Sequence, residues 1–277
     1  MGKAKKDKIL ELILFFCALI SLSMILLMGL FVLKEGYPIM EKVGVKNFLL
    51  GKKWSPSSDI YGIFPMILGT VAITVGALIL GVPTSVMTAV FLTEFVPKKM
   101  EKLLNPAIEL LAGIPSVIYG LFGMTTIVPL VREFEKTYFY QKGREIQSGY
   151  SLFAAVIILS IMISPTIINI SKDALKAVDK ELKEGSLALG ATQWETIRQV
   201  VIPSAKSGIF AGVVLGMGRA IGETMAVIMV AGNSIKIPNS IFSPIRTLTS
   251  NIAIEISYAS EGNHTEALFI PIITNST

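Results

Sequence analysis

The stretch GIFAGVVLGMGRAIGETMAVIMVAG, residues 208–232, decides the fold, because it is long enough to span a bilayer and yet carries two charged residues. Each ionised group at that depth costs about 2.5–3.5 kcal/mol on insertion scales, so Arg219 and Glu223 need compensation there. Projected at ~100° per residue, both charges share a face with the glycines that recur at every fourth position from Gly208. Small residues at this spacing let membrane helices approach closely. We therefore expect one helix over 208–232, with its charged face against other helices or along a water-filled path.

The composition is that of a membrane protein. The chain has 277 residues, of which 52% are hydrophobic and 16% charged, and its mean hydropathy is +0.65. Soluble domains carry about 25% charged residues. The net charge of +5 fits lysines and arginines that flank membrane spans better than a nucleic-acid surface. One cysteine and one histidine exclude a disulfide framework and make a His/Cys metal site hard to build.

Five apolar runs predict five membrane-spanning helices in an all-α, multi-span helical bundle. They cover residues 13–33, 62–95, 108–131, 151–170 and 208–232. Pro83 leaves two possibilities for the second run, either one long bent helix or a span followed by a short amphipathic turn. Pro115 predicts a break in the third run. A last apolar run, residues 267–273, is too short to cross ~30 Å of hydrocarbon as a helix.

Lysines concentrate before the first span. Four of them lie within residues 1–12, which predicts a cytoplasmic N-terminus. This orientation places the polar segment 34–61 outside the cell and the polar segment 172–206 inside. We expect residues 13–277 to form one transmembrane domain that includes both segments.

The cytoplasmic segment 172–206 carries the signals of a helix–turn–helix. Asp179 is suited to cap a first helix through KELKEGSLAL, and Gly190 is suited to stop it. The sequence TQWE, residues 192–195, is a capping box that starts a second helix. We expect Pro203 to end that second helix.

The same segment resembles the EAA loop of ABC-importer permeases, whose pattern is E-A-A-x3-G-x9-I-x-L-P. The matching positions are Glu184, Gly185, Ser186, Gly190 and Pro203, with other small residues in place of the two alanines. The resemblance implies a short rigid helix that docks closely into a groove on a cytoplasmic ATPase. The alternative is an ordinary cytoplasmic loop with a helical hairpin.

Four motifs together resemble the phosphate (Pst-type) ABC-transporter permeases, more the PstC type than its PstA partner. They are NFLLGKKWSP (47–56), AGIPSVIYGLFG (112–123), EGSLALGATQWETIRQVVIP (184–203) and GMGRAIGETMAV (216–227). The resemblance implies a MetI-like permease domain without a cofactor. It also implies a second, PstA-like permease subunit, two cytoplasmic ATP-binding subunits and an external phosphate-binding protein. The family has a sixth full span, so we expect five full spans here plus a short or truncated sixth.

Arg219 and Glu223 occupy the positions of an arginine and a glutamate that are implicated in phosphate translocation in this family. A guanidinium suits that role chemically, because its planar fork of donors binds an oxyanion bidentately and stays charged when partly desolvated. Glu223, one helical turn on, is expected to hold Arg219 when no anion is present. The alternative is a static pair of charges that only fixes helix packing.

The chain is expected to be a non-catalytic subunit of the cell membrane. It contains no G-x-x-x-x-G-K-[ST] phosphate loop, so ATP hydrolysis must come from a separate chain. The single histidine, His264, is expected to be a solvated residue of an external loop. We therefore predict the permease subunit of an ATP-driven phosphate importer. The alternatives are an ABC permease for sulfate or molybdate, or a secondary transporter or channel in which Arg219 and Glu223 form an ion-coupled switch.

Overall fold

The computed structural model describes residues 3–138, 148–257, 259 and 262–276, without the side chains of 3–6 and 270–276. The chain divides into two compact units, one of Met1–Phe64 with Asn251–Thr277 and one of Pro65–Ser250. Within the described residues, five helices are long and apolar enough to cross a membrane, which confirms the predicted multi-span bundle. They are Asp7–Val43, Phe64–Glu94, Ser116–Tyr138, Leu152–Lys176 and Gln193–Gly222.

The first unit consists of long helices and a small polar hairpin. Helix α1 (Lys3–Val43) runs ten residues past the end predicted for the first span. It is followed by α2 (Val45–Leu50) and by the two-residue strands β1 (Trp54–Ser55) and β2 (Ile60–Tyr61), which pair antiparallel. Helix α13 (Asn263–Ser276), which has 14 residues, packs along α1.

A buried polar cluster closes this hairpin. The indole nitrogen Nε1 of Trp54 donates to Oε2 of Glu255 at 2.8 Å, and Nε2 of His264 lies 2.9 Å from the same oxygen. His264 is only 8% exposed, so the expectation of a solvated histidine is wrong. The carboxylate that contacts it belongs to Glu255, nine residues earlier in the chain, and no local sequence pattern predicts a contact at this separation. Close by, burial and a hydrogen bond to Asp59 raise the pKa of Tyr61 to about 12.

In the second unit, α3 (Phe64–Glu94) is one continuous helix of 31 residues. It passes through Pro83, which settles the choice left open for the second span. A proline removes one helical hydrogen bond, and hydroxyl side chains help to satisfy the backbone beside it. Here Oγ1 of Thr84 donates to the carbonyl oxygen of Leu80 at 2.8 Å.

The third span begins later than predicted. Helix α4 (Lys98–Gly113) ends before Pro115, and a new helix starts as α5 (Ser116–Phe122) and continues to the end of α6 (Val128–Tyr138). The run 108–131 therefore combines the end of one helix with the beginning of another. Hydropathy alone does not separate them, because both sides of the break are apolar.

The rest of the second unit is organised around α7 (Leu152–Lys176). It is followed by the short α8 (Lys180–Ala188), then by α9 (Gln193–Thr196) and α10 (Ile202–Gly222), and finally by α11 (Met225–Val230). Helix α12 (Leu248–Glu255) begins after an irregular segment.

Pro203 does not end the helix that starts at the capping box, contrary to the prediction. A π turn over Ile197–Val201 joins α9 to α10, and the Ile202 N–H bonds to the carbonyl of Ile197, five residues back. A second π turn, Gly123–Ile127, precedes Pro129 in the same way. A proline cannot donate to the carbonyl four residues earlier. In both places the π turn lies directly before the proline, and the helix continues through it.

The predicted glycine face is present and packs α10 against α7. A Cβ atom added at Gly212 would lie 3.2 Å from Cβ of Ile170, and one added at Gly216 would lie 2.8 Å from Cγ1 of Ile167. The two helices therefore approach as closely as the absence of side chains allows.

Replacing Gly216 by valine should destabilise the unit by about 1–3 kcal/mol, because the new side chain overpacks against Ile167. Gly218→Val is the matched control on the same helix, since a Cβ there meets no atom within 4 Å. Thermal unfolding of the purified chain in detergent measures both. Equal melting temperatures for the two variants would contradict a tight α7–α10 contact.

Candidate functional site

Arg219 lies near the middle of the membrane-spanning part of the second unit. Helices α7 and α10 are antiparallel neighbours, and Nη1 of Arg219 donates to Oγ1 of Thr166 on α7 at 3.4 Å. At 1.5 Å per residue, Thr166 is about 21 Å from Leu152 and about 15 Å from Lys176 along α7. The guanidinium is therefore held by a hydroxyl group far from both ends of its neighbouring helix.

Helix interruptions cluster at this level of the unit. Between α4 and α5 the chain is extended at Ile114 and Pro115, and the hydroxyl of Tyr119 donates to the carbonyl of Leu111 across that break at 2.7 Å. Irregular backbone at membrane depth is tolerated only where it is buried in protein or lines a water-filled cavity.

Glu223 lies at another interruption, between α10 and α11. Helix α10 ends at Gly222, and Glu223 has extended backbone angles, φ −70° and ψ 129°. Its Oε1 accepts from the backbone N–H of Ala226 at 3.0 Å, which caps the start of α11, and its carbonyl accepts from Oγ1 of Thr249 at 3.0 Å. The expectation of one unbroken helix over 208–232 is therefore wrong.

The expected pair of Arg219 and Glu223 does not form in this structure. Among the residues described, no carboxylate lies within ion-pair distance of Arg219. The physical reason is the end of α10: one helical turn separates the two residues in a regular helix, but the extended backbone turns the glutamate toward α11. Within the described residues, the hydrogen bond to Thr166 is the polar side-chain contact found for the guanidinium.

Thr166 is a functional candidate that the sequence analysis missed. Its neighbours Ser160 and Ser164 donate to carbonyls of their own helix, those of Ile157 and Ser160. Thr166 instead accepts a hydrogen bond from Arg219, and its hydroxyl can still donate one. A guanidinium beside a donating hydroxyl forms a cradle for an oxyanion. The only hint in the sequence is a threonine directly after Pro165, inside an apolar span.

The loop that the sequence predicts to be cytoplasmic exposes part of the predicted docking set. Glu184 and Gly185 are exposed on α8, and Leu189 just after this helix is 91% exposed. Gly190 stops the helix with φ +88°, and a Cβ there would meet no atom within 4 Å. All three of these predicted positions, Glu184, Gly185 and Gly190, are exposed.

Two other predicted positions shape the loop instead. Oγ of Ser186 lies 2.9 Å from Oγ1 of Thr196, which closes α8 against α9, and Pro203 lies in the first turn of α10. The predicted capping box is confirmed, with the N–H of Thr192 donating to Oε2 of Glu195 at 2.8 Å and the N–H of Glu195 donating back to Oγ1 of Thr192. Asp179 occupies the cap position of α8 but makes no capping hydrogen bond with its side chain.

Comparison with known proteins identifies the family. Residues 81–259 match the binding-protein-dependent transport system inner membrane component family. The chain is 40% identical, over 89% of its length and 78% of the relative, to the probable ABC transporter permease protein YqgH of Bacillus subtilis (strain 168). It is 42% identical, over 77% of its length and 71% of the relative, to the phosphate transport system permease protein PstC of Haemophilus influenzae.

A solved structure shows the same fold. The inward-facing MetNI methionine ABC transporter superposes with a TM-score of 0.58 at 18% identity, over 81% of this chain and 91% of the transporter chain. This likeness confirms the MetI-like arrangement of the predicted bundle. Together with the family match and the identities above, it shows that this multi-pass membrane chain belongs to the binding-protein-dependent transport system inner membrane components.

Proposed function

We propose that this chain is the transmembrane permease subunit of an ATP-driven phosphate importer of the cell membrane. Several relatives at 33–42% identity bear the name phosphate transport system permease protein PstC, which supports phosphate over another oxyanion. The proposed complex contains a second, PstA-like permease, two cytoplasmic ATP-binding subunits and an external phosphate-binding protein. In it, the N-terminus of the chain is cytoplasmic, residues 13–277 form the permease domain, and ATP hydrolysis belongs to the partner chains.

The observation that carries the proposal is the guanidinium of Arg219 at membrane depth, which bonds to Thr166 and has no carboxylate partner among the described residues. A charge at that depth is costly, so its retention without a carboxylate partner argues for a transient anionic one. A phosphate ion that leaves water needs its hydration replaced. The remaining donors of Arg219 and the O–H of Thr166 supply that replacement.

The helix that carries Arg219 also supports the coupling to ATP. From Gln193 to Gly222 it is one continuous element of 30 residues, so Arg219 lies about 39 Å along it from the cytoplasmic loop. The surface of Glu184, Gly185 and Gly190 docks on the ATPase, and its displacement moves this long helix. As the subunits rock, Arg219 and the helix break at Glu223 are then reached by the anion first from one side of the membrane and afterwards from the other.

Replacing Arg219 by alanine should lower ATP-driven phosphate uptake at least about tenfold, because hydrogen bonds to a charged group are lost in a desolvated site. Uptake of labelled phosphate by the reconstituted complex is the measurement. Arg132→Ala, which removes an exposed arginine of α6, is the control and should transport normally. The proposal fails if the unaltered complex takes up phosphate without ATP or without the external binding protein.

Two substitutions of Glu223 separate its charge from its cap. Glu223→Gln keeps an oxygen that accepts from Ala226, whereas Glu223→Ala loses the cap and should cost about 1 kcal/mol of stability. If the charge serves the anion path, both variants lose uptake while only the alanine variant melts earlier. Normal uptake by the glutamine variant would reduce Glu223 to a structural cap.

Gly190→Val should abolish co-purification of the ATP-binding subunits. Gly190 has φ +88°, a conformation that side-chain-bearing residues adopt only at a cost of about 1–2 kcal/mol, so the turn after α8 is distorted. Gly44→Val is the control, because Gly44 has φ +81° and equally open surroundings but lies outside the loop. If the ATP-binding subunits still co-purify with the Gly190→Val variant, α8 is not part of the docking surface.

A further inference from the structure

Glu94, the last residue of α3, contacts both helices of the cytoplasmic loop. Its carboxylate pairs with Nζ of Lys183 on α8, and its backbone carbonyl accepts from Nε2 of Gln193 on α9 at 3.3 Å. The side chains of the pair are 11% and 25% exposed, so water screens this pair less than a surface ion pair. One residue of α3 thus contacts the helix–turn–helix on both sides of its turn.

Helix α8 depends on polar contacts for its attachment. It has no buried residue, and only Lys183 and Ser186 are half-buried, while its other side chains are exposed. Ser186 joins α8 to Thr196 within the loop. Lys183 joins it to Glu94, outside the loop. The ion pair is therefore the side-chain contact that connects this helix to α3, whereas the bond between Ser186 and Thr196 connects it to the start of the helix that runs from Gln193 to Gly222.

The cytoplasmic ends of the spans are held together differently, by apolar packing. A core cluster joins the end of α3, the end of α7 and the region from the π turn to the start of α10. Its buried members are Ala89, Val90, Leu92, Ile168, Leu175, Ile197, Val201 and Ala205. None of them belongs to α8. A force on α8 consequently reaches this packed body through the backbone of the loop, through the bond between Ser186 and Thr196, and through Glu94, which alone of these leads directly to α3.

We propose that Glu94 is a positioning residue that transmits the movement of α8 to α3. The inference rests on the proposed function, in which α8 docks on the ATPase. With the ion pair intact, α8 moves with α3 and the packed body as one piece. With the pair removed, α8 responds to the ATPase while the spans lag behind, so ATP is hydrolysed with less transport.

A second ion pair at the same end of the unit provides a matched control. Glu101 on α4 pairs with Lys176 on α7, and this pair does not involve α8. The hydrogen bond from Lys176, and next the one from Asn105, lower the pKa of the Glu101 carboxyl below its ordinary value. Removing this carboxylate changes the charge of the cytoplasmic surface as much as removing that of Glu94.

The test measures ATP hydrolysis and phosphate uptake on the same reconstituted complex. Glu94→Gln and Lys183→Gln should each lower the phosphate taken up per ATP by about threefold or more, and the swap of Glu94→Lys with Lys183→Glu should restore most of it. Glu101→Gln should leave the ratio unchanged. An unchanged ratio in the first two variants, or a swap that restores nothing, overturns the proposal. Parallel loss of hydrolysis and uptake with earlier melting also overturns it.

A distance measurement keeps this test separate from the proposed function. Spin labels at Phe95→Cys and Leu182→Cys, both exposed positions, in a Cys17→Ser chain report how α8 sits against α3 in the assembled complex. The distance should stay constant between nucleotide-free and ATP-bound states, and change between them in the Glu94→Gln variant. A distance that already changes in the parent overturns the role of Glu94, whatever solute is carried. Absence of ATP-driven phosphate uptake by the parent contradicts only the proposed function.

Discussion

The close contact between α7 and α10 is the constraint on which the rest of the second unit depends. Without side chains at Gly212 and Gly216, the two backbones approach until Ile167 and Ile170 fill the remaining space. That closeness brings Thr166 within hydrogen-bonding distance of Arg219. In lipid there is no hydrophobic drive between helices, so such contacts come from packing and polar bonds. A charge is tolerated here because small residues give it a polar neighbour.

The breaks in the helices follow from the same requirement for polar partners. At each break the freed backbone groups find a side chain: Tyr119 donates to a carbonyl of α4, and Glu223 accepts from the start of α11. At membrane depth, backbone N–H and C=O groups that have lost their helical hydrogen bonds must find other partners nearby. Tyr119 and Glu223 perform this repair in the same unit that holds Arg219. Some of the side chains that satisfy the backbone at these breaks are thus also candidates for the proposed transport of phosphate.

Sequence reasoning succeeded where a pattern repeats and failed where a single contact decides. The glycine period and the capping box of Thr192 and Glu195 were predictable because each has a fixed spacing, and the number of spans was predictable from the apolar runs although the bounds of the third were not. The end of α10 at Gly222 was not, since apolar residues continue on both sides of it. The partners of Thr166 and His264 lie 53 and nine residues away, and hydropathy carries no information about them. The resemblance placed Arg219 and Glu223 in one motif but did not determine how their side chains pair.

The π turn before Pro203 has a consequence for the geometry of the long helix. A π turn holds one residue more than a regular turn, so a helical wheel continued through Ile197–Val201 is out of phase by roughly 100°. The face that α10 turns toward α7 is thus not the continuation of the face at the start of α9. Removing one residue from the π turn would rotate α9 relative to α10 by about this angle, while the glycine face and Arg219, both beyond the turn, would keep their relation to each other.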